Sequence, residues 1–344
     1  MKFLNFPQLI QHEILKQLTQ FEYFLLSLCS LKARNAAKNL KYKDAEIWIT
    51  KTGHLKFSVH SEASKSDLFY LWNRWEIPSG LSTMKLKFES QMIEIAIGST
   101  KYTHLKTIQA CSKIAQQVFQ NYLCYLFNSP TNNVYYRFST GLEDFQMERL
   151  NFTIDRSVID DWRINWKTLD KFFNEHPTQS YSCIKNQIQP EFGYYEDSVW
   201  NSRPIMKTQN LVIHEMKYHT SKFLMHFQGE HGFFKDCSIY SYCLNRFLKK
   251  WMTQKNENLK TLLLTGYFKH CVKKKPDVFE GIVTECFDVK RNMYYSYQST
   301  IAKYERIPAS YFDCADGIEI SRKSDGKIAT VLITDVHIGF FVWT

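Results

Sequence analysis

The sequence predicts an α/β protein: three short N-terminal helices, then a longer strand-helix stack closed by a C-terminal β-hairpin. Three observations carry this expectation. Apolar residues after Pro7 recur at helical spacing; the run Leu259-Lys260-Thr261-Leu262-Leu263-Leu264 sits among alternating strand and helix patterns; and Asp325-Gly326 separates two alternating apolar segments.

Pro7 suits the first position of a helix, where its missing amide hydrogen would have had no partner. Ile10, Ile14 and Leu18 follow at four-residue intervals and Leu15 widens the stripe, while Gln11, Glu13, Lys16 and Gln17 make the opposite face polar. Thr19 is positioned to cap a second helix carrying Phe21, Phe24, Leu25, Leu28 and Cys29, and Ser30 to cap a basic third helix through Lys32, Arg34 and Lys38. Three helices in roughly forty residues enclose too little core to stand alone. Some of their apolar surface must be covered by something else.

Beyond about residue 44 the pattern changes to alternating strands and amphipathic helices. Residues 54–60 and 84–97 alternate as strands, the latter interrupted near Ser90; residues 109–127 read as a helix stopped by Ser129-Pro130; 134–138 read as a strand; and 167–176 as a short helix ended by Pro177. Leu211 and Ile213 mark another strand, residues 219–227 a helix ended by Gly229, and residues 237–242 the next strand. A helix follows in which Leu244, Phe247, Leu248 and Trp251 fall on one face. The leucines at 259, 262 and 264 fit the L-x-x-L-x-L strand of a leucine-rich repeat, and strand starts recur at roughly 25 residues, inside the range for such repeats. Tyr267 stands where the repeat expects asparagine. An irregular leucine-rich-repeat-like stack and an ordinary mixed α/β domain are both compatible with this region. At the end, Ile318 and Ile320, the Asp325-Gly326 turn, residues 328–333 and a last strand through Val336, Ile338, Phe340 and Val342 make the closing hairpin.

Length and composition limit the classes of function. The 344 residues suffice for a small module plus a large domain, and 44% hydrophobic with 23% charged residues is globular. No apolar run approaches the roughly 18 residues of a membrane span, and Gln8, Gln11, His12 and Glu13 interrupt any signal-peptide core. Nine cysteines, scattered without Cys-x-x-Cys, read as reduced thiols of a cytoplasmic or nuclear protein. The net charge of +10 admits an acidic partner, but basic and aromatic residues are spread along the chain with no RNP-like or zinc-finger motif. Lys273-Lys274-Lys275 reads as a solvated run, and nucleic-acid binding is the weaker reading.

Catalytic patterns are absent. His214 and His219 flank a near-zincin segment, but they lie five apart where one helical face requires four. No Walker, G-x-G-x-x-G or G-x-S-x-G motif occurs. The pairs Glu143-Asp144 and Asp160-Asp161 read as solvated surface, and Trp72, Trp75, Trp162 and Trp166 as core. No catalytic residue, cofactor site or metal site is expected.

Phe6-Pro7 followed by Ile10, Ile14, Leu15 and Leu18, then a Glu22-containing turn and the apolar run 23–28, resembles the F-box. Family members open with a leucine-proline pair and place aliphatic residues at these offsets; here Phe6 replaces the leucine, Gln11 a common aliphatic and Ala33 a common aromatic. The segment from Leu244 to Trp251 with Asn258-Leu259-Lys260, and the closing Asp316-Gly317-Ile318 hairpin with Phe341-Val342-Trp343, are similar to the F-box-associated type 2 region of nematode F-box proteins. The resemblance implies an F-box at 1–43 and a substrate-recognition region at 44–344, with the type 2 segment at about 200–268 and a capping hairpin at about 316–343. It implies a non-enzymatic adapter of an SCF-type (Skp, cullin, F-box) ubiquitin ligase that holds an unknown protein target. Pro7, Ile10, Ile14, Leu15, Leu18, Leu25 and Leu26 would dock on a Skp-type adaptor, which brings the cullin. The alternatives are an interaction module whose F-box has drifted from ligase recruitment, and a basic nucleic-acid-binding protein.

Overall fold

One side chain sets where each N-terminal helix begins in the computed structural model. It describes residues 5–38, 45–52, 54–61, 65–71, 82–88, 91–97, 103–107, 112–129, 134–140, 142, 154–189, 197–217, 219–253, 258–288, 294–297, 300–307 and 311–343. Helix α1 (Gln8–Lys16) starts one residue later than expected, because Pro7 keeps an extended ψ of 146° and acts as N-cap. The Thr19 hydroxyl accepts from the Glu22 amide at 3.2 Å, and the Glu22 carboxylate accepts from the Thr19 amide at 2.8 Å. This reciprocal capping box opens α2 (Gln20–Cys29). Ser30 caps α3 (Leu31–Lys38) by accepting from the Ala33 amide at 3.0 Å.

These helices belong to the first of two compact units, Met1–Ser157 and Val158–Thr344. The first unit continues with β1 (Glu46–Thr52), β2 (His54–His60), β3 (Lys65–Leu71), β4 (Ser82–Phe88), β5 (Gln91–Ile97), β6 (Thr103–Thr107), α4 (Ser112–Leu126) and β7 (Val134–Phe138). The expected strand pattern at 84–97 is an antiparallel pair, β4 on β5, with Met84 opposite Ile95. The strands lie in the order β7-β1-β2-β3-β6-β5-β4, in which β1 with β7 and β3 with β6 are parallel. Trp48 stacks between Tyr135 at 4.6 Å and His60 at 4.8 Å across β7, β1 and β2. Helix α4 supplies the cover that the N-terminal helices lack. Phe127 meets Tyr23 at 5.6 Å, Tyr122 meets Phe24 at 6.3 Å and donates to Ser27 Oγ at 2.6 Å, and Phe119 meets Phe57 at 6.2 Å.

The division falls within β8 (Arg156–Ile159), and the second unit holds α5 (Trp166–Glu175), β9 (Tyr181–Ile184), α6 (Asp197–Ser202), β10 (Asn210–Ile213), α7 (Thr220–His226), β11 (His231–Cys237), α8 (Ser241–Thr253) and β12 (Thr261–Gly266). It continues with α9 (Lys269–Lys273), α10 (Lys275–Val278), β13 (Glu285–Cys286), β14 (Tyr294–Ser296), α11 (Thr300–Tyr304), β15 (Tyr311–Asp313), β16 (Ile318–Ser321), β17 (Ile328–Ile333) and β18 (His337–Val342). Strands β9, β10, β11 and β12 are parallel and neighbour one another in chain order, with starts roughly 20–30 residues apart. The meander β16-β17-β18 then pairs antiparallel onto β12 and covers that edge. Its turn is built as expected: Gly326 takes φ +71°, and Asp325 receives Arg322 Nε at 2.8 Å and Arg322 Nη2 at 2.5 Å.

Three expectations are corrected. The strand placed at 237–242 lies earlier, at β11, and Ser241 already begins α8. Phe233 and Phe234 give β11 one buried residue for each sheet face, whereas Tyr240 and Tyr242 are exposed. Trp162 lies exposed in a turn rather than in the core; Trp166 is buried against Trp200, Phe223 and the Arg203 guanidinium, and Trp72 and Trp75 lie outside the described residues. Asp161 is buried and accepts from the Arg163 amide at 3.1 Å, so it shapes a turn, while Glu143-Asp144 lies outside the described residues.

On the helix side of the parallel run, Phe234 packs against Phe223 at 5.5 Å and Phe227 at 5.8 Å. Phe234→Ala should lower stability by about 3–5 kcal/mol, since the two rings are held by their own helix and do not collapse into the void. A denaturant midpoint within error of the wild type would show that this packing is not central.

Candidate functional site

With Tyr23, Phe24, Ala33 and Ala37 buried, the N-terminal helices keep a set of apolar side chains in contact with solvent. Leu9 is 74% exposed, Leu31 67% and Ile10 46%. Ile14, Leu18, Leu25, Leu26 and Leu28 are half-buried, and Pro7 is exposed. Leu15 has no accessible surface. It therefore supports α1 from beneath and is not part of the exposed apolar set, a correction to its expected place on the surface. Leu9 and Leu31 extend the exposed set; the stripe count missed them because Leu9 sits beside the i, i+4 row and Leu31 opens the next helix. Gln11, half-buried, donates its side-chain amide to the Phe6 carbonyl at 2.7 Å and so braces the entry to α1.

In the second unit, the parallel strands are covered on both faces. Helices α7 and α8 lie on one, where Phe247 and Trp251 meet Phe340 of β18 at 5.1 and 5.2 Å. The described residues of β14, α11 and β15 lie on the other. There Tyr304 meets Tyr181 at 5.2 Å, Tyr297 meets His231 at 6.1 Å, and Phe341 meets Tyr295 at 4.6 Å and Phe312 at 5.0 Å. The tyrosine-rich runs at 294–297 and the Tyr311-Phe312 pair were the sequence signals of this cover.

Glu305, just after α11, fastens that cover to the sheet. Its carboxylate accepts from Lys235 Nζ at 2.6 Å, lies 3.3 Å from His214 Nε2 and receives the Cys183 thiol at 3.3 Å. The carboxylate is 10% exposed. Burial alone would raise its pKa; the hydrogen bonds from His214 and Lys235 and the lysine charge outweigh this and hold it at about 2. Burial, and then the Glu305 charge, push the Cys183 thiol well up, so it stays protonated. His214 and His219 are thereby separated: His219 packs on Trp166 at 5.3 Å.

Beyond the C-terminal ends of β11 and β12 stand Tyr240, Tyr242 in the first turn of α8, and Tyr267, all exposed. Tyr240 stacks on Tyr242 at 5.8 Å and meets His270 edge-on at 6.2 Å. The Cys271 thiol donates to the Ile239 carbonyl at 3.4 Å and ties the two loops together. A cleft beside α8 is lined by Arg246, Lys249 and Lys250 with His226, yet Lys250 bonds the Met225 carbonyl and His226 bonds Asn201 at 2.7 Å, so part of its polar lining already serves the fold. Among the described residues no helix is long and apolar enough to cross a membrane.

Because Glu305 has a depressed pKa, its contribution to stability is present above its ordinary value of 4.5 and is lost as pH falls from there toward 2. Glu305→Gln should cost about 2–3 kcal/mol at pH 7 and flatten stability against pH across that window, since it leaves Lys235 without its carboxylate. Equal acid profiles for variant and wild type, in urea titrations at several pH values, would contradict this.

Residues 3–44 match the F-box domain, covering α1, α2 and α3. Nearly the whole chain, 99% of it, aligns with 78% of an uncharacterized Caenorhabditis elegans protein at 24% identity over 369 residues. No solved structure matches. The N-terminal helices that present this apolar surface are an F-box domain.

Proposed function

We propose that the chain is the substrate receptor of an SCF-type ubiquitin ligase, docking on a Skp-type adaptor through its N-terminal helices and, through the adaptor, on a cullin. One observation carries the reading: the F-box match falls on helices whose outer apolar side chains remain accessible after the rest of the unit has covered their inner face. Leu9, Ile10 and Leu31 with the half-buried Ile14, Leu18, Leu25 and Leu26 supply the surface. Each square ångström of it buried against a partner contributes about 25 cal/mol. The receptor is not an enzyme: it brings target lysines near a ubiquitin-charged conjugating enzyme and contributes effective concentration, with no acid, base or nucleophile of its own.

In this reading the second unit holds the target. The parallel strands in chain order support a leucine-rich-repeat-like stack, and the helix with Leu244, Phe247, Leu248 and Trp251 buried, followed by β12, supports the F-box-associated type 2 segment at about 200–268. Because β14 to β15 and α11 occupy the sheet face opposite the helices, the target is held at the strand ends, where Tyr240, Tyr242 and Tyr267 combine exposed rings with hydrogen-bonding hydroxyls.

Two experiments test the reading. Leu9→Asp with Ile10→Asp should abolish co-purification with a Skp-type adaptor while leaving the thermal transition unchanged, because both side chains are exposed; retention of the adaptor would refute the docking face. Tyr240→Ala with Tyr267→Ala should keep the adaptor and lose the target proteins in affinity purification with mass spectrometry. An unchanged protein list would remove the strand-end loops from target binding.

A further inference from the structure

We propose that Cys183, His214 and Glu305 form a zinc(II) site that clamps the covering segment to the parallel sheet. The ligand atoms come from three elements far apart in sequence: β9, the residue after β10, and the residue after α11. Cys183 Sγ lies 3.3 Å from one Glu305 oxygen and His214 Nε2 lies 3.3 Å from the other, with all three ligand atoms within 4.8 Å of one another. Tetrahedral zinc with bonds of about 2.0–2.3 Å holds its ligand atoms about 3.3–3.6 Å apart, so small side-chain movements suffice. Thiolate, imidazole and carboxylate together suit this borderline-soft ion.

Two ammonium groups bear on the site. Lys235 bonds Glu305, and Lys185 neighbours Cys183 electrostatically. Binding exchanges one cation for another: zinc takes the Glu305 carboxylate, Lys235 turns to the solvent it already touches, and the Cys183 S–H bond breaks as the Zn–S bond forms, its proton passing to water. Water completes the coordination on the side where His214 and Lys235 meet solvent. The site is independent of adaptor docking, since every ligand lies in the second unit.

The test uses the full chain, stripped with chelator and titrated with zinc chloride, with metal per chain measured after gel filtration and thermal unfolding followed in parallel. We expect about one zinc per chain and a melting temperature that rises with zinc concentration. Cobalt(II) should give a thiolate charge-transfer band that survives Cys29→Ser, an exposed thiol, and is lost in Cys183→Ser. His214→Gln should abolish binding independently should Cys183→Ser fail to fold. Lys235→Gln is the sharpest variant: it removes the competing cation and should tighten zinc binding about tenfold or more, whereas a purely structural ion pair would only lose stability. Substoichiometric zinc in the wild type, or binding unchanged in His214→Gln, would overturn the proposal.

Discussion

A run of parallel strands must be buried on both faces, and this constraint orders the second unit. Parallel neighbours in chain order need crossover connections, and those connections place α6, α7 and α8 between successive strands. Nothing in that connectivity covers the opposite face. The chain meets the requirement with β14, α11 and β15 and the residues beside them, whose Tyr304, Tyr297 and Tyr295 rings lie on Tyr181, His231 and Phe341. The pattern of burial follows: Cys183, Val212, Phe233 and Leu263 are as fully enclosed as Ile184, Ile213, Phe234 and Leu264 on the helix side. With one face covered in this way, Tyr240, Tyr242 and Tyr267 at the strand ends remain accessible, as do Tyr294 and Tyr311 on the cover itself.

The cover is held by polarity as well as by rings. Glu305 is an ionised carboxylate in a nearly closed site, a state that persists only because a lysine, an imidazole and a thiol surround it. The same geometry that stabilises the carboxylate brings together ligand types with an affinity for a soft divalent ion. Buried polar clusters of this kind fix a unique arrangement of elements, since a displacement of α11 would take the nearly buried Glu305 carboxylate away from its partners.

The first unit solves a related problem at smaller scale. Its N-terminal helices are too short to bury both sides of themselves, so Tyr122 of α4 and Phe127 just after it take one side, on Phe24 and Tyr23. The other side keeps leucine and isoleucine against water. Soluble helices carry isolated exposed apolar residues without consequence, but several grouped on consecutive short helices suit a surface made to be covered. Here capping chemistry, periodicity and family resemblance agree, which is why the segment was readable from local sequence alone.

Local rules therefore determined much of this protein. Thr19 announced α2, the i, i+3, i+4 and i+7 spacing of Leu244, Phe247, Leu248 and Trp251 announced α8, and Asp325-Gly326 announced the closing hairpin. Each depends on residues a few positions apart, where the physics is short-ranged. The strand at β11 was misplaced because a short apolar run flanked by aromatic residues does not reveal which of its members meet the sheet, and bury, and which end in solvent. Only the tertiary structure decided that Leu15 supports the helical surface from within, that β14, α11 and β15 cover the sheet, and that His214 stands with Cys183 and Glu305, 31 and 91 residues away, rather than with His219. Such groupings arise from strand order and crossover length, which bring distant residues together without leaving any periodic trace in the sequence.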